Sequence, residues 1–183
     1  MICSASSGAR LIRRHGLTLS RWRNGAGRKA DIATGPGWLI GFAWLDADAP
    51  FSDYSGHDRT ITLVEGPGFR LAGAGRDPLV VTEVGHPASF DGGWLADCRI
   101  HGAPCVVLNA MSYRAQWRHA VTVHRGGPID PEGAVADVLV VLRGELRVGD
   151  LVAGPQDAIG LDAAGVALTS ADALVCRVTI HAA

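Results

Sequence analysis

Apolar positions in this chain fall in short runs separated by glycine, proline and aspartate. Residues 38–45 form a near-continuous apolar run of strand length. Residues 60–64 alternate apolar and polar side chains, and 174–180 do the same near the C-terminus. Residues 106–108 and 138–142 are further short apolar runs. Turn-forming residues recur at intervals of about 8–12, the spacing of a β-sandwich or barrel. No apolar stripe of helical period extends over three turns. The strongest helical signal is a single short turn around residues 51–58. The pattern therefore predicts an all-β chain of antiparallel strands with little helix.

One arrangement occurs twice. Ile61-Thr62-Leu63-Val64-Glu65-Gly66 leads into Phe69-Arg70-Leu71, and Val140-Val141-Leu142-Arg143-Gly144 leads into Leu146-Arg147-Val148. Each copy is an apolar strand, a glycine turn and an alternating strand, followed downstream by another turn and strand. Small antiparallel barrels of the cupin type are built in this way. The expected architecture is a cupin-like double β-barrel (a bicupin). Its first barrel spans residues 16–115 and its second 116–183, behind a disordered or frayed leader at residues 1–15.

Composition sharpens this picture. The chain has 183 residues, enough for one ordinary domain or two very small ones, and 48% are hydrophobic, which excludes general disorder. Lys29 is the only lysine among 17 basic residues, and only four of the 18 acidic residues are glutamate. Lysine and glutamate are common surface residues of helices, so their scarcity again argues for strands. A net charge of −1 gives no footprint for nucleic acid or an anionic membrane surface. No apolar run approaches the roughly 20 residues of a membrane helix. The N-terminal segment lacks the apolar centre of a secretion signal, so a cytoplasmic protein is expected. Cys3, Cys98, Cys105 and Cys176 contain no Cys-x-x-Cys spacing. A Cys98–Cys105 bridge is geometrically allowed, but free thiols suit a reducing compartment better.

Common catalytic and metal-binding patterns are missing. Metal-holding cupin barrels present a His-x-His pair, because alternate strand residues share a face. Here His119 and His124 are five apart, and His57, His86 and His101 are scattered. A metal-free protein without a cofactor is expected. No Gly-x-Ser-x-Gly is present, and Gly25-Ala26-Gly27 lacks the ending of a phosphate loop.

Polar residues embedded in apolar or turn surroundings remain. Arg21-Trp22-Arg23-Asn24-Gly25 places Trp22 and Asn24 at a turn. The stretch from Phe51 and Ser52 to Asp58 ends on Arg59, at the entrance to an apolar strand. Asn109, followed by Ala110 and Met111, ends the run at 106–108. Burying an arginine or an amide is costly unless its hydrogen bonds are met. Two readings follow. Arg59 pairs internally with Asp58, Asp53 or backbone carbonyls while Asn109 caps a turn. Alternatively, Arg59 offers a fork to a carboxylate at a barrel mouth and the amides serve a neutral polar group.

These segments resemble the HutD proteins of histidine utilisation and the related Ves proteins. Trp22-Arg23-Asn24-Gly25-Ala26-Gly27 is similar to the family's Trp-(Lys/Arg)-Asn-Gly-Gly-Gly. Ala49-Pro50-Phe51-Ser52 and Gly56-His57-Asp58-Arg59 resemble its Pro-Phe-Ser and Gly-x-Asp-Arg segments. The hairpin at Val64-Glu65-Gly66-Pro67-Gly68, then Phe90-Asp91-Gly92 and Val107-Leu108-Asn109-Ala110-Met111, follow in family order. The match covers about residues 17 to 115; the second half resembles only a generic cupin-like barrel. Arg28, Val107 and Leu39 or Ile40 stand where the family tends to carry Thr, Asp and Arg.

The resemblance implies a bicupin that binds a small intermediate of histidine degradation, of the formylated-glutamate kind, as an accessory or regulatory factor. It brings forward Arg59, Asn109, Asn24, Ser52, Trp22 and Met111 as ligand-binding residues. A small carboxylated molecule is the expected partner. A metal-free cupin enzyme acting on a carboxylated amide is the alternative. It would use Asp31, Asp58 or His57 as acid or base beside the arginine. A structural or interaction module, such as a homodimer, is the third reading; it predicts an internally paired Arg59 and an apolar outer patch.

Overall fold

A computed structural model describes residues 8–130, 132–161 and 168–183. Seventeen strands are described: β1 (Ala9–Ile12), β2 (Leu19–Arg21), β3 (Arg28–Gly35), β4 (Trp38–Leu45), β5 (Ala49–Pro50), β6 (His57–Glu65), β7 (Phe69–Ala72), β8 (Leu79–Val81), β9 (Pro87–Asp91), β10 (Asp97–Ile100), β11 (Cys105–Tyr113), β12 (Trp117–Ile129), β13 (Ala136–Arg143), β14 (Leu146–Val148), β15 (Leu151–Ala153), β16 (Ala158–Leu161) and β17 (Leu168–Ala182). The one helical element among the described residues is a 3₁₀ turn at Arg14–Gly16. The all-β expectation is met.

Strand pairing is antiparallel throughout the named strands. A six-stranded sheet runs β2-β3-β4-β11-β6-β9, and a four-stranded sheet runs β5-β10-β7-β8. A seven-stranded sheet runs β1-β16-β13-β17-β14-β15, with β12 also on β17. Each is an open path: no sheet closes on itself through the pairing of the described residues.

Three apolar clusters hold these layers. One lies between the six- and seven-stranded sheets, joining Ile40, Phe42, Leu108 and Ala110 to Val138, Val140, Cys176 and Val178. A second joins the six- and four-stranded sheets through Ile61, Leu63, Phe69, Leu71, Phe90 and Val107. The third lies within the C-terminal half, around Leu139, Val141, Leu146 and Ile159. Strands β6, β11 and β13 thus contribute to a cluster on each face. That explains why 106–108 and 138–142 read as unbroken apolar runs rather than alternating ones.

Two expectations change. Residues 9–12, expected to fray, form edge strand β1 on β16. Arg13 fastens the end of that strand with a 2.6 Å ion pair to Asp157. Residues 1–7 lie outside the described part of the chain. The helical turn expected at 51–58 is irregular chain leading into β6. There Pro50, an Asx turn from Asp53 to the Ser55 N–H at 2.8 Å and Gly56 at φ +82° favour a turn over a helix. Cys98, Cys105 and Cys176 are free and buried, and burial pushes the Cys98 and Cys176 thiols up to about 12.

Candidate functional site

The inward face of β6 carries Arg59, Ile61 and Leu63 in alternation. Register carries this face across the sheet: Arg59 stands opposite Met111, and Met111 opposite Leu39. One row on, Ile61 stands opposite Asn109, then Gly41 and Asp31. Of these, Arg59, Ile61, Met111, Leu39 and Asn109 line a cavity together with Phe51, Ser52, Tyr54 and Trp22. Room for the centre of a water molecule amounts to about 30 Å³, enough for about two waters. Any larger ligand must therefore displace the rim side chains.

Arg59 is the centre of this site and is only 7% exposed. Its Nη1 donates to the Ser52 carbonyl and its Nη2 to Oδ1 of Asn109, both at 3.4 Å. Its Nε finds no acceptor. Among the described residues no carboxylate pairs with it. The guanidinium is instead enclosed by aromatic rings, 5.1 Å from Phe51, 5.3 Å from Tyr54 and 5.1 Å from Phe90. Burial lowers its pKa to about 10, with Tyr54 opposing the shift slightly. Arginine at neutral pH nevertheless stays charged.

Neither acid proposed as an internal partner reaches Arg59. Asp58 points to the other side of β6, where Arg114 binds it at 2.9 Å and also binds Asp91 at 2.7 Å. Asp53 is held by Ser55, whose side-chain and backbone hydrogen bonds keep its carboxyl below the ordinary range. Asn109 is not a turn cap either. It sits in mid-strand in β11, 8% exposed, facing the arginine.

The other candidates divide. Met111 is buried on the Arg59 row, and the Ser52 hydroxyl is buried beside it without a hydrogen-bond partner. Trp22 covers the cavity from one side, in edge contact with Phe51 at 5.8 Å, its Nε1 donating to the Arg28 carbonyl at 2.7 Å. Asn24 does not line the cavity. Its Nδ2 donates to the Pro50 carbonyl at 2.8 Å and its Oδ1 accepts from the Ala26 N–H at 3.0 Å. It is therefore a brace that ties the β2–β3 turn to the chain entering Phe51.

Sequence reading missed Lys29 and Tyr54 as lining residues. Lys29 carried a signal as the sole lysine, whereas nothing marked Tyr54 beyond its place after Phe51 and Ser52. No group of three or more His, Cys, Asp or Glu side chains among the described residues is arranged to hold a metal ion. The C-terminal half offers a contrast to Arg59. Arg177, 3% exposed, makes a two-pronged contact with Asp137 at 2.9 and 2.6 Å and is also bound by Glu132.

A family model described as HutD matches residues 14–182. The chain belongs to the HutD family. Among solved structures, HutD from Pseudomonas fluorescens superposes with a TM-score of 0.84 at 19% identity, covering 96% of this chain and 99% of that one. A conserved protein of unknown function from Pseudomonas aeruginosa follows with a TM-score of 0.78 at 23% identity and the same coverage, 96% and 99%. A cupin 2 conserved barrel domain protein from Leptotrichia buccalis gives 0.63 at 11% identity, over 95% and 96% of the two chains. These likenesses establish a cupin-like β fold for the HutD chain. A comparison with curated protein sequences finds no match. No helix among the described residues is long and apolar enough to cross a membrane.

Proposed function

We propose that this HutD-family chain is a metal-free small-ligand-binding accessory protein of histidine utilisation, built as a double cupin-like barrel. In this reading it senses or buffers a degradation intermediate such as formylated or formiminated glutamate, in the cytoplasm. The observation that carries the proposal is Arg59. A buried guanidinium with two 3.4 Å contacts and, among the described residues, an orphaned Nε and no counter-ion leaves charge and donors unmet. Removing a charge from water without a partner costs several kcal/mol. A carboxylate in the cavity would accept two parallel N–H bonds and neutralise that charge. The Asn109 amide and the free Ser52 hydroxyl would serve the ligand's neutral polar group.

The arrangement supports binding over turnover. Of the acid–base candidates, Asp58 is engaged outside the cavity by Arg114, and the His57 Nδ1 lies 3.3 Å from the Ser55 carbonyl. Asp31 is held by Lys29. An interaction module would have Arg59 fully paired internally; here the Ser52 carbonyl and Asn109 each take one donor at 3.4 Å, while its Nε has no acceptor among the described residues.

Calorimetric titration of the folded protein with N-formimino-glutamate, N-formyl-glutamate, urocanate and histidine tests the proposal. Saturable heat with at least one of them, lost in Arg59→Ala, is expected. No heat from any of the four would overturn it.

A further inference from the structure

A wider space than the Arg59 cavity opens where the two halves of the chain meet. Leu19 stands opposite Ala30 and Arg28 opposite Trp44, so β2, β3 and β4 supply one part of its lining. Arg14 and His15 of the 3₁₀ turn, Leu17, Pro155 and Asp157 supply the rest. The cleft between them measures about 490 Å³. That is room for a small ligand without displacing side chains, unlike the Arg59 cavity.

Asp157 pins the turn to the C-terminal half. One of its oxygens accepts from the Arg14 backbone N–H at 3.1 Å and the other from the Arg13 side chain at 2.6 Å. The pinned turn sets the Arg14 guanidinium 5.7 Å from the centre of a Trp44 ring, and Arg28 lies 5.8 Å from the same residue's ring. The two arginines differ in what they still offer. Arg28 commits Nε and Nη2 to the two oxygens of Asp46, each at 2.9 Å. The Arg14 side chain has its ring contact but no hydrogen bond or ion pair among the described residues. Asp46 is thus matched by Arg28 and Asp157 by Arg13, and His15 is the remaining titratable group of the lining. Arg14 is left without a counter-charge.

The other walls are apolar. Leu17 and Trp44 are half-buried against the core, and Leu19 beside them is 54% exposed. A guanidinium stacked on an indole keeps its forked N–H donors for oxygen acceptors. An apolar body laid on Leu17 and Leu19 removes their surface from water. The flat faces of Trp44 and Pro155 suit a ring, which loses less conformational freedom on binding than a flexible chain does.

We infer that this cleft is a second ligand site, separate from the Arg59 cavity, for a small aromatic acid. The acid's carboxylate or phosphate oxygens take the Arg14 fork, and its ring lies along Leu17, Leu19 and Pro155. The inference is independent of the Arg59 reading.

Titration of the wild type, Arg14→Met, Arg59→Met and Leu19→Ser with 3-phenylpropionate, phenyl phosphate and the neutral 3-phenylpropanol tests it, with circular dichroism as the check of folding. Calorimetry gives the affinity. The indole N–H resonance of Trp44, assigned by its loss in Trp44→Phe, gives the location. At least one acid should bind the wild type and Arg59→Met alike and shift that resonance; which acid does so tells whether carboxylate or phosphate is preferred. Arg14→Met should weaken its binding about ten-fold, the effect of losing one hydrogen bond to a charged group, and Leu19→Ser should weaken it by less. The alcohol should bind the wild type about ten-fold more weakly than the acid. Failure of both acids to bind the wild type, an unmoved Trp44 resonance, equal affinity in Arg14→Met, or binding lost in Arg59→Met overturns the inference.

Discussion

Arg59 reaches Oδ1 of Asn109 at 3.4 Å, a long contact between two buried side chains fifty residues apart in the chain. Arg59 therefore enters the folded state with its charge unpaired, and replacing it should separate stability from binding. Arg59→Met keeps the apolar stem against Phe51, Phe90 and Tyr54 and removes the charge. We expect the ligand-free variant to be more stable by about 1–3 kcal/mol, by analogy with buried ions replaced by apolar residues. Anion binding should be lost. Urea melts and calorimetry on the same preparations check both halves. A variant that is less stable than the wild type would mean that the 3.4 Å contacts and the aromatic rings already satisfy the guanidinium.

Arg177 and Asp137 should behave in the opposite way. Their two-pronged pair is buried on both sides, and its hydrogen bond and opposite charge raise the Arg177 pKa. Removing one partner strands the other in the core. Arg177→Met and Asp137→Ala should each lower stability by about 3–5 kcal/mol, with the double variant recovering much of the loss. Denaturant unfolding of the three variants measures the coupling. Additive single losses would show that the pair acts only through packing.

Much of this division was readable from residue types, and its limits have physical causes. Strand positions followed from apolar runs, because β11 and β13 are covered on both faces. Arg59 and Asn109 were recognisable because a polar residue within an apolar strand needs a reason, Met111 came forward only through the family motif, and register brings all three to one face. Asn24 looked equivalent as a motif amide, but its role depends on the distant Pro50 carbonyl, which sequence spacing does not reveal. Lys29 stood out only as the sole lysine, and strand spacing alone does not tell whether its face is wet or enclosed. β1 was missed for a similar reason. Its partner β16 lies about 150 residues away, and the fastening contacts of Asp157 to Arg13 and the Arg14 N–H are just as non-local.

His119 gives the fold a pH dependence. Its ring lies between Thr60 and Ser112, with contacts of 2.9 Å to the first and 2.7 Å to the second. Burial holds its pKa below the ordinary histidine value, against a weaker opposing pull from Asp58. The unfolded chain therefore takes up this proton more readily than the folded one, so stability rises with pH. The contribution is complete above the unfolded value of about 6.5 and declines as pH falls from there through the folded pKa. Urea midpoints should fall below about pH 6.5 in the wild type more steeply than in His119→Gln. Equal slopes would remove His119 as the cause.

The glycines of the Trp22–Gly27 turn should differ sharply in what they control. Gly27 lies under the Trp22 ring: a Cβ there would come within 2.5 Å of Cε2 and 2.7 Å of Cδ2. Gly25 has open space around it and φ of +74°. Gly25→Ala meets only backbone strain, costing about 1–2 kcal/mol, and should leave ligand affinity unchanged. Gly27→Ala must lift the indole, breaking its bond to the Arg28 carbonyl and its edge contact with Phe51. That opens one side of the cavity to water and weakens the Arg59–carboxylate contact by raising the local dielectric. We expect a loss of about 1–3 kcal/mol in stability together with weaker ligand binding. Trp22→Phe, which shortens the ring without a clash, should reproduce the weaker binding. Comparing thermal melts and calorimetric affinities for the three variants checks this. If Gly25→Ala weakens the ligand as much as Gly27→Ala, the turn's backbone rather than the seated indole governs the site.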